Sequence, residues 1–386
     1  MKKLITLLLV LTGMVLTASA DDVTYTVAGD AELVGSNWSE TDTDNDMAKV
    51  SKGSIYVLKK TGVSLTEGNK QFKVVKDHGW GTSWPSSNYN LYIETAGTYD
   101  VIFTFNPANE YVGAFTSMTV AGDNDLIGSN WNVSDTDNDM TFNDDYGFFT
   151  LAKTKAYTAG TFEFKVVKDH RWANGSWPAA NYSLKISTAG TYTIYFNYYP
   201  GDNSVLAAEA VTTNASGYCT YVNYNPVNIT TATAYYATDN DNGSATAHAI
   251  TNPTGSTPMI IKGDASTMFY FQIYESGTSY SPNAFKAGPY ANIPATVDGK
   301  YNYILNGDAL KAPNGTQNVG TGKAYLQLSA AASARPLIFE DEDVTAINAV
   351  ITVNSENKTY FNIAGQRVAQ PTKGLYIVNG KKVIMK

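Results

Sequence analysis

The sequence predicts an all-β protein made of tandem immunoglobulin-like β-sandwiches, a third β-rich domain and a small C-terminal β tail. Its 386 residues include 27 Tyr and 31 Gly, and only 16% are charged. Tyr, Val, Thr, Asn and Gly are residues of strands and turns rather than of helices. Apolar and polar side chains also alternate along short segments. Finally, a block in the first half occurs twice, with Val27 matching Val120 at a shift of 93 residues.

The N-terminus has the pattern of an export signal. Lys2 and Lys3 precede an apolar run over residues 4–16 and a small-residue site, Ala-Ser-Ala, at residues 18–20. This order is typical of a cleaved signal peptide, which we predict for residues 1–20. No later run reaches about 18 consecutive apolar residues, so no membrane span is predicted. We therefore expect an exported protein.

Internal repetition predicts two sibling modules, at residues 21–115 and 116–210. Short motifs occur in the same order in both copies: Val-Ala-Gly-Asp at 27–30 and 120–123, Gly-Ser-Asn-Trp at 35–38 and 128–131, Asp-Thr-Asp-Asn-Asp-Met at 42–47 and 135–140, Lys-Val-Val-Lys-Asp-His at 73–78 and 165–170, and Thr-Ala-Gly-Thr-Tyr at 95–99 and 188–192. A unit of this length is a domain and not a solenoid repeat.

Alternation within the copies predicts how each module is built. Phe162, Phe164 and Val166 alternate with Glu163 and Lys165, which is typical of a half-buried strand. Several short strands separated by glycine turns, without helical periodicity, favour an immunoglobulin-like sandwich of roughly 90–100 residues.

The second half of the chain predicts further β structure. In residues 211–345, the segments 267–274 and 323–328 have strand composition, and Asn306-Gly307 marks a turn. The residues of this third domain suggest no chemistry. In the tail, residues 346–386, strands are predicted at 374–378 and 381–384, joined by an Asn379-Gly380 turn.

Each copy also carries two tryptophans after a predicted strand, in a segment rich in Gly, Ser and Asn. Such connections usually run over the surface, where indole faces can cover the apolar faces of sugar rings while polar neighbours bind the hydroxyls. We therefore predict a polysaccharide partner. The candidate ligand-binding residues are Lys76, His78, Trp80 and Trp84 in the first copy and Lys168, His170, Trp172 and Trp177 in the second. One site alone would bind weakly, and two linked sites gain affinity by effective concentration.

Burial is the alternative for these tryptophans, because Trp is highly buried on average. One indole of each pair could close an end of its sandwich. For Trp38 and Trp131, next to Gly-Ser-Asn, we favour packing over ligand binding. If every indole is buried, the modules would be spacers of a structural or adhesive surface protein.

Other patterns argue against several kinds of site. A net charge of −8 argues against a nucleic-acid partner, which needs clustered Lys and Arg. Residues 42–46 have Asp-x-Asp-x-Asp spacing but lack the Gly and Glu of a helix–loop–helix calcium loop, so we expect a polar turn held by Asp and Asn side chains. Three histidines are too few for a His-rich zinc site, and no metal or cofactor is expected. Cys219, the single cysteine, is expected to act as a small buried hydrophobe.

The sequence also carries no common catalytic signature. A nucleophile elbow, a phosphate-binding glycine loop and a dinucleotide fingerprint do not occur. Asp and Glu are plentiful, so residue type leaves a carboxylate pair for glycoside hydrolysis open. A sandwich of this length leaves little room for a catalytic cleft, and we expect a non-catalytic protein.

The repeated motifs resemble a known group of modules. Val-Ala-Gly-Asp, Gly-Ser-Asn-Trp and the run 160–166 followed by His170-Arg171-Trp172 are similar to the accessory β-sandwich modules of bacterial pullulanases and of Bacteroidetes starch-utilisation surface proteins. The first copy departs from the pattern with Lys70 at the earlier aromatic position. The resemblance implies an α-glucan-binding role, with Trp80 and Trp172 as the matching loop aromatics.

The tail carries a second resemblance. Residues 360–368 and 373–383 are similar to the C-terminal sorting domains of Bacteroidetes type IX secretion. This resemblance implies a partner in the secretion machinery, passage across the outer membrane, and attachment to or release from the cell surface. Cys219 lies far from the signal peptide, so the lipid-bearing cysteine of the starch-system lipoproteins is missing.

Overall fold

The computed structural model describes residues 23–289, 291–315, 317–332, 336–340, 360–361, 367–368, 374–378 and 381–385. The predicted signal peptide lies outside these residues. The described chain is almost entirely β structure, with two four-residue α-helices, α1 (Ala31–Val34) and α2 (Asn124–Ile127). The all-β class predicted from the sequence is confirmed. Among the described residues, no helix has the length and hydropathy needed to cross a membrane.

The first repeat folds as a sandwich of two antiparallel sheets. Its strands are β1 (Tyr25–Gly29), β2 (Ala48–Lys49), β3 (Tyr56–Leu65), β4 (Gly68–Lys76), β5 (Gly79–Ile93), β6 (Gly97–Asn106) and β7 (Tyr111–Phe115). One sheet has the order β1-β4-β5 and the other β2-β3-β6-β7. Alternate apolar residues of the two sheets meet in the core, among them Val27, Phe72 and Phe103. Lys70 is buried here and pairs with the Glu32 carboxylate, which explains how a lysine replaces an aromatic ring.

The second repeat has the same arrangement. Its strands are β8 (Met118–Gly122), β9 (Thr141–Asn143), β10 (Phe148–Tyr157), β11 (Gly160–Lys168), β12 (Ser176–Ile186), β13 (Gly190–Tyr199) and β14 (Ser204–Thr212). One sheet has the order β12-β11-β8, and β9, β10, β13 and β14 form the opposite layer. The alternation predicted along β11 is present, because Phe164 and Val166 are fully buried and Glu163 is exposed.

The third region is β-rich, as predicted. Its strands are β15 (Tyr218–Val222), β16 (Val227–Asn228), β17 (Thr233–Asp239), β18 (Ala245–Ile250), β19 (Pro258–Lys262), β20 (Met268–Ile273), β21 (Phe285–Ala287), β22 (Ala291–Asn292), β23 (Thr296–Val297), β24 (Lys300–Asn306), β25 (Ala309–Lys311), β26 (Asn318–Val319), β27 (Ala324–Leu328) and β28 (Leu337–Phe339). A sheet in the order β15-β19-β17-β18-β28 is central, with one hydrophobic core on each face. The predicted strands at 267–274 and 323–328 are β20 and β27. The predicted turn at Asn306-Gly307 joins β24 to β25.

In the tail, the described residues form β29 (Tyr360–Phe361), β30 (Arg367–Val368), β31 (Gly374–Val378) and β32 (Lys381–Met385). These strands pair in the order β30-β29-β31-β32. The antiparallel pair β31–β32 confirms the two strands predicted there.

The second repeat and the third region share a sheet. Strand β14 pairs with β13 on one side and with β20 on the other, so the sheet continues across the expected boundary at residue 210. The buried Glu209 carboxylate strengthens this connection by accepting the backbone N–H groups of Tyr224 at 2.9 Å and Asn225 at 2.7 Å. In addition, Gln272 Nε2 donates to the Tyr182 hydroxyl at 3.3 Å. The third region therefore packs directly on the second repeat.

The two repeats also contact each other through buried groups. Lys168 is only 4% exposed, and its Nζ donates to the Tyr89 hydroxyl of the first repeat at 3.1 Å. Phe115, at the end of β7, packs into the core of the second repeat with its ring 5.3 Å from that of Phe149. Asn109 Nδ2 also donates to the Gly201 carbonyl at 2.8 Å. These contacts hold the two sandwiches in one relative arrangement.

Candidate functional site

The repeated motifs, distant in sequence, converge on one corner of each sandwich, where two indoles lie side by side. In the first repeat the ring centroids of Trp38 and Trp80 are 6.1 Å apart, with 35° between the ring planes. In the second, Trp131 and Trp172 are 6.2 Å apart at 34°. We call Trp38 with Trp80 the first platform and Trp131 with Trp172 the second. The near-identical geometry follows from the local structure, which the two copies share.

The inner indole of the first platform is fixed by its backbone and by Asp30. Helix α1 ends at Gly35 in the left-handed region, and Trp38 itself has φ of 53°. Its N–H donates to the Gly29 carbonyl at 2.8 Å, and its Nε1 donates to Asp30 Oδ1 at 3.2 Å. The other oxygen of Asp30 accepts the Gln71 N–H at 2.6 Å. A positive φ is unfavourable for a bulky residue by about 1–3 kcal/mol and occurs mostly where the surroundings dictate it.

The second copy repeats this arrangement. Trp131 has φ of 51°, and its Nε1 donates to Asp123 Oδ1 at 3.2 Å. Gly122, in the preceding strand, lies so close to β11 that a Cβ would be 2.6 Å from the Glu163 carbonyl oxygen. The motif Val-Ala-Gly-Asp therefore needs Gly for the close approach of the backbone and Asp for holding the indole.

The outer indole of the first platform follows a tight hairpin. Asp77 and His78 have φ of 51° and 53°, which matches a two-residue turn of type I′ between the paired residues Lys76 and Gly79. An irregularity in the β4–β5 register follows, and it places Trp80 outside the regular ladder. Trp80 thus lies in a bulged part of a strand, where the sequence predicted a loop. It is 41% exposed.

The hairpin is different in the second copy. Asp169 and His170 have the same positive φ values, but a short 3-10 helix, Trp172–Asn174, follows. The guanidinium of Arg171 lies over the Tyr92 ring of the first repeat, 4.7 Å from its centroid. Trp172 is 43% exposed. Both outer indoles therefore face solvent, as predicted.

Each platform is bordered by a histidine–aspartate pair. His78 Nε2 lies 2.8 Å from Asp46 Oδ1, and His170 Nε2 lies 2.6 Å from Asp139 Oδ1. The same Asp46 oxygen accepts the Thr26 hydroxyl. The histidines are about one-third exposed, so their rings border the indoles without being covered. The pairs supply both donors and acceptors beside the aromatic surface.

The acidic segment beneath each platform is a polar turn, as predicted. Asp42 Oδ1 accepts the Asp44 N–H at 3.1 Å, and its Oδ2 accepts Asn45 Nδ2 at 3.0 Å. Asp135 makes the same contacts in the second copy. A hydrogen bond from a serine hydroxyl, followed by the one from the Asp44 amide, lowers the pKa of Asp42. The described part of the chain contains no group of three or more His, Cys, Asp or Glu that could hold a metal ion.

Four of the predicted ligand residues lie away from the platforms or are covered. Trp84 and Trp177 are partly buried on β5 and β12 and pack against the two cores. The Trp84 ring lies 4.8 Å from that of Phe105, and the Trp177 ring 5.0 Å from that of Tyr198. Lys168 is buried between the repeats. Lys76 is half-buried beside Asp77, 3.8 Å away.

The positions of these residues have physical reasons. Trp84 and Trp177 pair with the buried Val74 and Val166 next to a break in the strand register, and their rings turn toward the core. Lys168 is 4% exposed because Tyr89, from the other repeat, covers it, so its ammonium group is not available to a ligand.

Trp38 and Trp131 are predicted to pack, and each is half-buried with its indole N–H bonded to Asp30 or Asp123. Each also lies beside an exposed indole, an arrangement that the sequence analysis did not identify. In both copies, the Asp that ends Val-Ala-Gly-Asp is followed eight residues later by Trp. This shared spacing could have identified the inner indoles.

Comparison with known proteins gives limited similarity. The sequence matches no protein-family profile. A 71-residue stretch, 18% of this chain, is 33% identical to an amylopullulanase of Thermoanaerobacter thermohydrosulfuricus and covers 5% of that enzyme. A pullulanase structure from Bacillus acidopullulyticus aligns with 67% of this chain and 28% of its own length, at 16% identity and a TM-score of 0.22. The chain thus spans only a small part of the curated relative it matches, and the short similarity is consistent with a β-rich module of the pullulanase type.

Proposed function

We propose that this chain is an exported, non-catalytic carbohydrate-binding protein that binds α-glucan through its two platforms. The observation that carries the proposal is the solvent-facing outer indole of each repeat, Trp80 and Trp172, which lies beside a second indole at nearly the same distance and angle in both copies. Exposed tryptophans are uncommon, and here each is held beside a second indole whose backbone is in an unfavourable conformation.

The chemistry of the platform suits a sugar ring. The apolar C–H face of a hexose can lie on Trp80 or Trp172, and its hydroxyls can bond to the adjacent His78–Asp46 or His170–Asp139 pair. The similarity to a segment of an amylopullulanase, together with the resemblance of the motifs, favours α-glucan as the ligand.

The tandem arrangement supports binding to a polymer. A single aromatic contact gives weak affinity, and a second one on the same polymer acts at a high effective concentration. This gain is largest when the connection is rigid and its span matches the ligand. The contact of Lys168 with Tyr89 and the insertion of Phe115 supply that rigidity.

Affinity electrophoresis of the full chain in gels containing amylopectin tests the proposal. We expect the protein to be retarded and the variant Trp80→Ala/Trp172→Ala to migrate as it does without polysaccharide. Tyr274→Ala, which removes an equally exposed aromatic ring from the third region, is the matched control and should remain retarded. Wild-type migration that is unchanged by amylopectin, or a double variant as retarded as wild type, would overturn the proposal.

Export and the lack of catalysis belong to the same proposal and need separate measurements. The mature protein in the culture fluid or on the cell surface should begin at Asp21, as read by mass spectrometry. Incubation of the pure chain with starch should release no reducing sugar above the blank. A protein found only inside the cell would refute export, and a steady release of reducing ends would refute the lack of catalysis.

A further inference from the structure

A cleft of about 520 Å³ lies where the two repeats and the third region meet, and no platform residue lines it. One lining residue comes from the first repeat, three from the second and the others from residues 231–270 of the third region. The residues that matter for its chemistry are Lys52, Tyr146, Phe148, Tyr199, Met268 and Tyr270. Its volume is within the range of sites that hold small molecules and is many times that of one water.

The walls of the cleft are mainly aromatic. The Phe148 ring lies 5.0 Å from that of Tyr199, at 38°, and 5.4 Å from that of Tyr270, at 89°. The Tyr146 ring is 5.9 Å from Phe148 on another side. Met268 is 37% exposed, which is high for such an apolar side chain. The cleft therefore offers ring faces in several orientations that a ligand could cover.

Polar groups are placed among these rings. Lys52 Nζ lies 5.1 Å from the centroid of the Tyr146 ring, and Asp264 is exposed at the edge. The Tyr146 hydroxyl is buried and has no hydrogen-bond partner among the described residues. Burial, with the neighbouring tyrosines Tyr195, Tyr199 and Tyr146, also raises the pKa of Tyr270 to about 12, so the Tyr270 phenol stays a neutral donor.

We propose that this cleft is a third ligand site, which takes one or two hexose units of a neutral oligosaccharide. One cation and one anion at its edge leave no net charge that would select a phosphate or a carboxylate ligand. The phenol groups suit a polyhydroxylated molecule better than an aliphatic lipid. The inference deepens the proposed function, because it assumes the same class of ligand, but it uses none of the platform residues.

Methionine-methyl NMR on the full chain can test the site with maltotetraose as the probe. Met268 reports on the cleft, and the fully buried Met259 of the third region is the internal control. In the Trp80→Ala/Trp172→Ala background, we expect a saturable shift of the Met268 methyl and no shift of Met259. Adding Tyr199→Ala should weaken this binding about tenfold, and the exposed edge variant Lys52→Ala a few-fold, with an unchanged Met259 signal in the absence of sugar.

The outcomes separate this inference from the platform proposal. No shift of Met268 up to the solubility limit of the probe, or equal shifts of Met268 and Met259, would overturn the cleft site even if amylopectin still retards the wild-type protein. A saturable Met268 shift in a protein whose retardation is unaffected by loss of Trp80 and Trp172 would support the cleft and refute the platforms.

Discussion

Removing the outer indoles should weaken polysaccharide binding in a graded way. The perturbations are Trp80→Ala, Trp172→Ala and the two together. Each removes a ring that packs against a second indole, Trp38 or Trp131, and that is not a member of the hydrophobic core of its sandwich. The variants should therefore unfold at nearly the same urea concentration as the wild-type protein.

The size of the effect follows from the exposed area. Trp80 and Trp172 are 41% and 43% exposed, which for an indole side chain is on the order of 100 Å². A sugar covers about one face, or roughly 50 Å², which is worth about 1.3 kcal/mol at ~25 cal/mol per Å². Each single variant should thus lose about tenfold in affinity for amylopectin, and the double variant about 100-fold because both contacts act on one polymer.

Isothermal titration with amylopectin, expressed per binding site, measures these losses. Tyr274→Ala gives the baseline for removal of an exposed ring outside the platforms. Equal affinities for the wild-type protein and the double variant would refute the reasoning. A loss in the double variant no larger than in Tyr274→Ala would do the same.

Three further expectations concern stability and reactivity. Trp84→Ala should lower the free energy of unfolding by about 3 kcal/mol, because this ring packs against the core of the first repeat. Urea denaturation measures the change, and a loss below about 1 kcal/mol would contradict the structural role of Trp84. The pKa values of Asp42 and Asp135 are lowered from 3.8, mainly by a hydrogen bond from a serine hydroxyl. The two carboxylates therefore stabilise the folded protein fully above that pH, and this stabilisation is lost as the pH falls through their folded-state pKa values. Asp→Asn at both positions should make the free energy of unfolding less dependent on acid pH, and an unchanged pH profile would refute this. Burial raises the pKa of Cys219 to about 11, so the native thiol should react with a disulfide reagent only upon unfolding, and rapid labelling of the folded protein would disprove it.

Much of the architecture was predictable because it depends on short-range patterns. Strands such as β11 and β20 follow from the alternation of apolar and polar residues, and the β24–β25 turn follows from Asn306-Gly307. The exposure of Trp80 and Trp172 was also predictable, since both follow a turn that carries no core residues. In these cases local sequence and tertiary structure agree.

The rest depends on contacts that the sequence order does not show. Trp38 becomes part of a platform only because its positive φ and Asp30 turn the indole toward Trp80, 42 positions later in the numbering. Lys168 is buried because Tyr89, 79 positions earlier, covers it. Pairing partners of this kind come from the tertiary fold, which overrides the preference of a lysine for solvent.

Lys76 and Lys168 occupy the same place in their repeats, and each lies beside the aspartate that follows it, at 3.8 Å from Asp77 and 3.7 Å from Asp169. Lys168 in addition donates to the Tyr89 hydroxyl of the first repeat, so the same position serves as a contact between modules in the second copy. Tyr182 is the counterpart of Tyr89 in the second repeat, and Gln272 of the third region already donates to it. A further sandwich could not cover Tyr182 as the second repeat covers Tyr89 without displacing the third region from this position.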